Sequence, residues 1–171
     1  MRLQAIWKMA AAGALAVTIM AAPAVKAQAG DTVLKAADAQ KMLPASVFYR
    51  AQSATTQLRN SGGVKFADGY YVLATMVDTS GYSSDVASKY SAYFITEVPI
   101  KVGGEKLAAG AYGIGFVGDK LIVTDIGAHD VITVTATEDA GLKRPMPLQV
   151  LANAGGGFRL YAGRKFVVFK R

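Results

Sequence analysis

From about residue 45 onward the chain alternates apolar with polar positions, or runs through β-branched and aromatic residues. Glycine pairs or Asp-Gly break the pattern every eight to twelve positions or so. That spacing leaves room for short strands joined by tight turns and little else. The expected fold is all-β: a single antiparallel β-barrel or β-sandwich of about nine to eleven strands.

Three turns are explicit enough to fix register. At Asp68-Gly69 a two-residue turn would set Ala67 opposite Tyr70 and Phe66 opposite Tyr71, with Val64, Phe66, Tyr71 and Leu73 sharing a face. The strand from Tyr70 to Val77 is apolar on both faces, which suits the middle of a sheet between two layers. Gly103-Gly104 would pair Val102 with Glu105 and Ile100 with Leu107, leaving Lys101 opposite Lys106. Like charges so opposed belong in water, so that face is outside. Gly118-Asp119 would pair Phe116 with Leu121 and Ile114 with Val123. Its reverse face carries Gly113 and Gly115, where the sheet bends as in a barrel or a ligand meets bare backbone.

One helix is expected near the start. Asp31 or Thr32 caps it, Val33 to Leu43 forms it, and Pro44 stops it. A second short turn of helix runs from Ser83 or Ser84 to Tyr90.

Residues 1–27 have the layout of a secretory signal peptide. Arg2 and Lys8 precede an apolar run from Ala10 to Ala22, and Val25 with Ala27 forms a small-residue cleavage pattern; Ala27 with Ala29 offers a second. The apolar run is shorter than the roughly 20 residues that span a bilayer. The remainder, 28–171, is expected to be one β-rich domain, periplasmic or extracellular, with no membrane span after cleavage. The sequence has no cysteine, so neither disulfides nor a lipidated N-terminal cysteine is available.

The formal net charge of +7 is unevenly placed. Loss of Arg2, Lys8 and Lys26 with the signal segment lowers it to +4. No acidic residue follows Asp139, whereas Lys143, Arg144, Arg159, Arg164, Lys165, Lys170 and Arg171 do.

Two motifs invite chemistry and fail on context. Gly113-Ile114-Gly115-Phe116-Val117-Gly118 matches G-x-G-x-x-G, but Lys120 to Thr124 reads as a strand, where a dinucleotide site needs a helix N-terminus. His129 is the lone histidine, within Asp125-Ile126-Gly127-Ala128-His129-Asp130. It has no second histidine or cysteine to complete a zinc site and no serine elbow to serve. A loop histidine bonded to its neighbours is expected there. No catalytic residue, metal ligand or cofactor is assigned.

The terminal hairpin is the most informative segment. With Ala162-Gly163 as its turn, Tyr161 faces Arg164, Arg159 faces Phe166, Leu160 faces Lys165 and Phe158 faces Val167. One face, Phe158, Leu160, Val167 and Phe169, belongs to the core. The other sets cations across from rings: Arg159, Tyr161, Arg164, Phe166 and Lys170 are the candidate binding residues for an anionic ligand.

The stretches Lys106-Leu107-Ala108-Ala109-Gly110-Ala111-Tyr112-Gly113, Leu142-Lys143-Arg144-Pro145 and Gly157-Phe158-Arg159-Leu160-Tyr161 resemble an uncharacterised group of exported bacterial β-rich proteins. That resemblance implies export and an all-β fold and brings no catalytic residues. The functional expectation is a non-enzymatic binding or envelope-interaction module that meets anionic envelope polymer or lipid headgroups, not nucleic acid. The alternatives are a lipocalin-like carrier of a small apolar ligand and a small enzyme or metal site around His129 and Asp125.

Overall fold

The computed structural model describes residues 30–171; the expected signal segment and its cleavage position lie outside them. In chain order the elements are β1 (Thr32–Leu34), α1 (Ala36–Ala39), β2 (Ser46–Tyr49), β3 (Gln52–Lys65), β4 (Tyr71–Val77), α2 (Ser84–Lys89), β5 (Ala92–Thr96), β6 (Ile100–Val102) and β7 (Glu105–Leu107). There follow β8 (Gly110–Val117), β9 (Lys120–Thr124), β10 (Asp130–Thr135), β11 (Thr137–Glu138), β12 (Met146–Ala152), β13 (Phe158–Gly163) and β14 (Lys165–Lys170). The strands make two antiparallel sheets. The first runs β1-β3-β4-β5-β8-β9-β10 with β2 also on β3; the second runs β12-β13-β14-β6-β7 with β11 also on β14.

The all-β expectation is met, but the barrel alternative is not: the two ladders stay separate and no closed barrel forms. The described residues hold fourteen strands where nine to eleven were expected. The surplus consists of two- and three-residue pieces, notably β6, β7 and β11, that lie where the chain leaves one sheet for the other.

The sheets pack face to face on one core. Val64, Phe66, Val72, Phe94, Ile114 and Val123 from the first meet Val102, Leu148, Val150, Phe158, Leu160 and Phe169 from the second. Phe169 bridges the layers, edge-on to Phe94 at 6.3 Å between ring centroids and 5.6 Å from Phe158. Such ring pairs add about 0.5 to 1.5 kcal/mol each beyond the area they bury. The void left between Phe94, Ile114, Leu160 and Phe169 is only about 10 Å³, room for a single water at most.

The other face of the first sheet is covered as well. Ala39 and Leu43 bury Leu73, and Val86 and Tyr90 pack with Tyr49 and Val77. Strand β4 therefore lies between two layers, which is why its residues are apolar on both sides.

The turns at Gly103-Gly104 and Gly118-Asp119 hold the expected registers, Ile100 opposite Leu107 and Ile114 opposite Val123. Since Gly118 leads into a hairpin with strand β9, the G-x-G-x-x-G spacing opens no helix.

The Asp68-Gly69 turn differs. Phe66 donates its N–H to the Tyr70 carbonyl at 2.8 Å while its own carbonyl accepts the N–H of Gly69 at 2.9 Å, so the loop holds three residues, with Gly69 at φ +95°. This is the three-residue hairpin in which a left-handed glycine follows the turn. Moving the register by one residue exchanges the faces of a strand. Val72 and Ala74 join Val64 and Phe66 in the central core, while Tyr71 and Leu73 point to the opposite side.

The N-terminal helix is also corrected. Thr32–Leu34 is a strand on the edge of the first sheet, with Val33 opposite Val64, and only Ala36–Ala39 is helical. The expected cap is engaged elsewhere: the Asp31 carboxylate accepts the backbone N–H of Ala67 at 3.0 Å. Helix α2, by contrast, starts after Ser83 and ends before Tyr90 as expected.

Behind Gly113 and Gly115 there is neither barrel curvature nor a ligand space. A Cβ on Gly113 would lie 2.2 Å from the Tyr90 ring, and one on Gly115 would lie 2.0 Å from the carbonyl oxygen of Ser88. The two glycines are the bed on which α2 rests. Gly115→Ala is expected to lower unfolding stability by about 3 kcal/mol, whereas Gly81→Ala, with nothing within 4 Å, should stay within about 0.5 kcal/mol of the parent in chemical denaturation.

Burial raises the phenol pKa of Tyr82, Tyr90, Tyr93, Tyr112 and Tyr161 above the ordinary 10.0. The unfolded chain therefore ionises first. The stability these groups contribute is whole below pH 10 and is lost as pH rises beyond it. Tyrosinate absorbance followed with circular dichroism should show ionisation of these phenols arriving together with unfolding; full ionisation in a still folded protein would contradict it.

Candidate anion-binding face

The β13–β14 hairpin turns at Gly163-Arg164, one residue later than expected, because Gly163 takes φ +61° at the first central position of the turn. Partners move by two residues: Tyr161 faces Phe166, Arg159 faces Val168, Leu160 faces Val167 and Phe158 faces Phe169. A two-residue move preserves the faces. Phe158, Leu160, Val167 and Phe169 are buried in the core, and Arg159, Tyr161 and Phe166 share the other side.

That side is tied to the segment just before β12. The Tyr161 hydroxyl donates to Oδ2 of Asp139 at 2.8 Å. Arg159 donates to the same oxygen at 3.4 Å, to the Tyr161 oxygen at 3.2 Å and to Oδ1 of Asn153 at 2.8 Å. Its guanidinium carbon lies 4.4 Å from the centre of the Phe166 ring, close enough for a cation–π contact. Burial raises the Tyr161 phenol pKa, the Arg159 hydrogen bond pulls it down, and the bond to Asp139 raises it again. Arg164 caps the same segment, donating to the carbonyls of Asp139, Ala140 and Leu142 at 3.4, 3.1 and 2.7 Å. Lys165 reaches the carbonyl of Gly118, and Arg171 pairs with Asp68, whose carboxyl the Arg171 bond holds below its ordinary range.

Of the five candidate residues, then, Arg159, Tyr161, Arg164 and Phe166 form one interlocked group whose polar atoms find partners in the chain itself. Lys170 stands apart. It is exposed and, among the described residues, has no ion-pair or side-chain hydrogen-bond partner.

Its neighbours are what sequence reasoning did not collect into the site. Lys170 lies opposite Lys101 of β6, and Lys101 lies opposite Lys106 of β7. Each alternates with residues buried beneath it: Phe169, then Ile100 and Val102, then Leu107. The three ammonium groups therefore leave the same outer face from directly paired positions, with no carboxylate partner among the described residues. The alternation sends the adjacent acid, Glu105, to the side opposite Lys106, and Asp68 is taken up by Arg171. Paired strands lie about 4.8 Å apart, and like charges so opposed destabilise a sheet. The Lys101/Lys106 pair was legible from the Gly103-Gly104 turn; Lys170 joins it through a pairing that no local pattern announces.

Beside the row an open recess of about 500 Å³ is lined by Pro99, Ile100, Leu107 and Ala108, with Lys101, Lys106 and Arg171 among its walls.

His129 is a loop residue bonded to its neighbour, as expected. Asp125 accepts the backbone N–H groups of Gly127 and His129 at 2.8 and 2.9 Å, and its other oxygen lies 3.0 Å from Nδ1 of His129. The backbone N–H of His129 is the main cause that keeps the Asp125 carboxyl below its ordinary value. Among the described residues no group of three His, Cys, Asp or Glu side chains gathers in metal-holding geometry, and no helix is long and apolar enough to cross a membrane.

Comparison of the chain with protein-family models, curated proteins and solved structures finds no match.

Tyr161→Phe is expected to cost about 1 to 2 kcal/mol in chemical denaturation, the loss of a hydrogen bond to a carboxylate. Lys101→Gln should instead raise the melting temperature at low ionic strength, with the gain shrinking as salt screens the row; a drop in melting temperature would show that the lysines are not in repulsion.

Proposed function

We propose that the protein is a non-enzymatic module of the cell envelope that binds anionic material through the outer face of its second sheet. The observation that carries this reading is the row Lys170, Lys101 and Lys106, three registered cations without an acid to neutralise them. A sheet that needed only solubility there would gain by alternating the signs. An incoming anion removes the repulsion and gains three Coulombic contacts at once, so the row is most stable when occupied.

Arg159, Tyr161, Arg164 and Phe166 serve this reading as structure rather than as contacts. They lock the segment around Asp139 onto the hairpin, while Lys170 makes the contact. The signal-like segment at 1–27 supports export, and in that compartment the anions at hand belong to envelope polymers and headgroups.

Retention on a dextran sulfate column tests it. The protein should elute late at low salt and early at high salt. The triple variant Lys101→Gln, Lys106→Gln, Lys170→Gln should lose at least tenfold in affinity with its fold intact by circular dichroism. Equal retention of variant and parent would remove the proposal.

A further inference from the structure

We infer that the anion bound by this face is the phosphate of a lipid headgroup at a membrane surface, with the neighbouring recess receiving the first apolar part of the same molecule. This deepens the anion-binding reading and rests on it.

The shape of the charged area suits a small headgroup. The row crosses only three strands, about 10 Å at the usual strand spacing, and it ends at β7, the last strand of the sheet. On its other side the outer face of β14 continues through Val168 and Phe166, which are not cations, and Arg159 is already held by Asp139, Asn153 and Tyr161. A polyanion would need cations spaced along a track, whereas this cluster is compact.

What adjoins it is apolar. The recess beside Lys101 and Lys106 has the exposed Pro99 and Ala108 along it, the buried Ile100 and Leu107 beneath, and Arg171, already paired with Asp68, as a further wall. Cations on the rim of an apolar hollow match a molecule with a charged head and an apolar body. Arg171 also lies 5.9 Å from the ring centre of Tyr70, a half-exposed tyrosine outside the recess lining and of the amphipathic ring type that favours a membrane interface.

The test uses the full protein, freed of its signal segment by export, in co-sedimentation with phosphatidylcholine vesicles and with vesicles in which about one-fifth of the lipid is phosphatidylglycerol. Parent protein should bind the anionic vesicles at least tenfold more tightly, and the triple lysine variant should fall to the phosphatidylcholine level. Ala108→Gln, which makes the recess polar without changing charge, should weaken vesicle binding about threefold and leave dextran sulfate retention unchanged. Free glycerol phosphate should displace the protein only at large excess over lipid. Strong, lysine-dependent retention on dextran sulfate without preference for anionic vesicles would overturn the lipid assignment and leave the anion-binding reading standing. So would vesicle binding that Ala108→Gln does not alter, or that equimolar glycerol phosphate abolishes. Failure to bind either material would overturn both.

Discussion

Strand β14 is hydrogen-bonded along both edges. One edge carries β13 throughout, and the other carries β11 beside Lys165 and Phe166 and then β6 beside Phe169 and Lys170. Among the described residues it is the only strand that joins β12 and β13 to β6 and β7. Its inward residues, Val167 and Phe169, are core, and Phe169 touches aromatic rings of both sheets. The second sheet, the closing of the apolar core and the lysine row all depend on this six-residue ladder, in which inward and outward positions serve separate ends.

Much of this architecture was written locally in the sequence. Both registers at the Gly103-Gly104 and Gly118-Asp119 turns follow from two-residue hairpin geometry, and the apolar double face of β4 announced a strand between layers. The misses were contests between local and tertiary forces. Asp68-Gly69 is compatible with a two- or a three-residue loop, and the choice falls to whichever face of β4 fits the core. Val72 and Ala74 meet the facing sheet, and Tyr71 and Leu73 meet α1 and its flanks. Thr32–Leu34 has helix-compatible residues but gains more by pairing with β3, where Val33 joins the core. Gly113 and Gly115 marked neither the barrel bend nor the ligand contact expected of them: what lies against their backbone is α2, an element encoded more than twenty residues earlier.

The candidate site was half legible for the same reason. The cationic character of the final segment could be counted, and its hairpin faces were assigned correctly even though the turn was one residue off. What composition could not show is which cations the fold itself consumes. Arg159 and Arg171 meet carboxylates, while Arg164 and Lys165 meet backbone carbonyls. The distinction needs the path of the segment around Asp139, which no local spacing encodes. Arginine, with its fork of donors, has gone to the internal joints together with Lys165, and Lys101, Lys106 and Lys170 are left facing outward.

The pairing of Lys170 with Lys101 has a further consequence for folding. The two residues are brought together only when β14 docks on β6, after the chain between them has been closed into a loop, and contacts of such long range form slowly. A chain that has built the first sheet but not the second still has Lys101 and Lys106 paired, since that hairpin is local, yet lacks the third charge and the inward seal of Phe169. If the proposed anion binds across all three lysines, it recognises only the completed sheet and stabilises it by mass action. Binding and the docking of β14 on β6 would then be thermodynamically linked, and the protein with the anion bound would open at this seam less often than the protein without it.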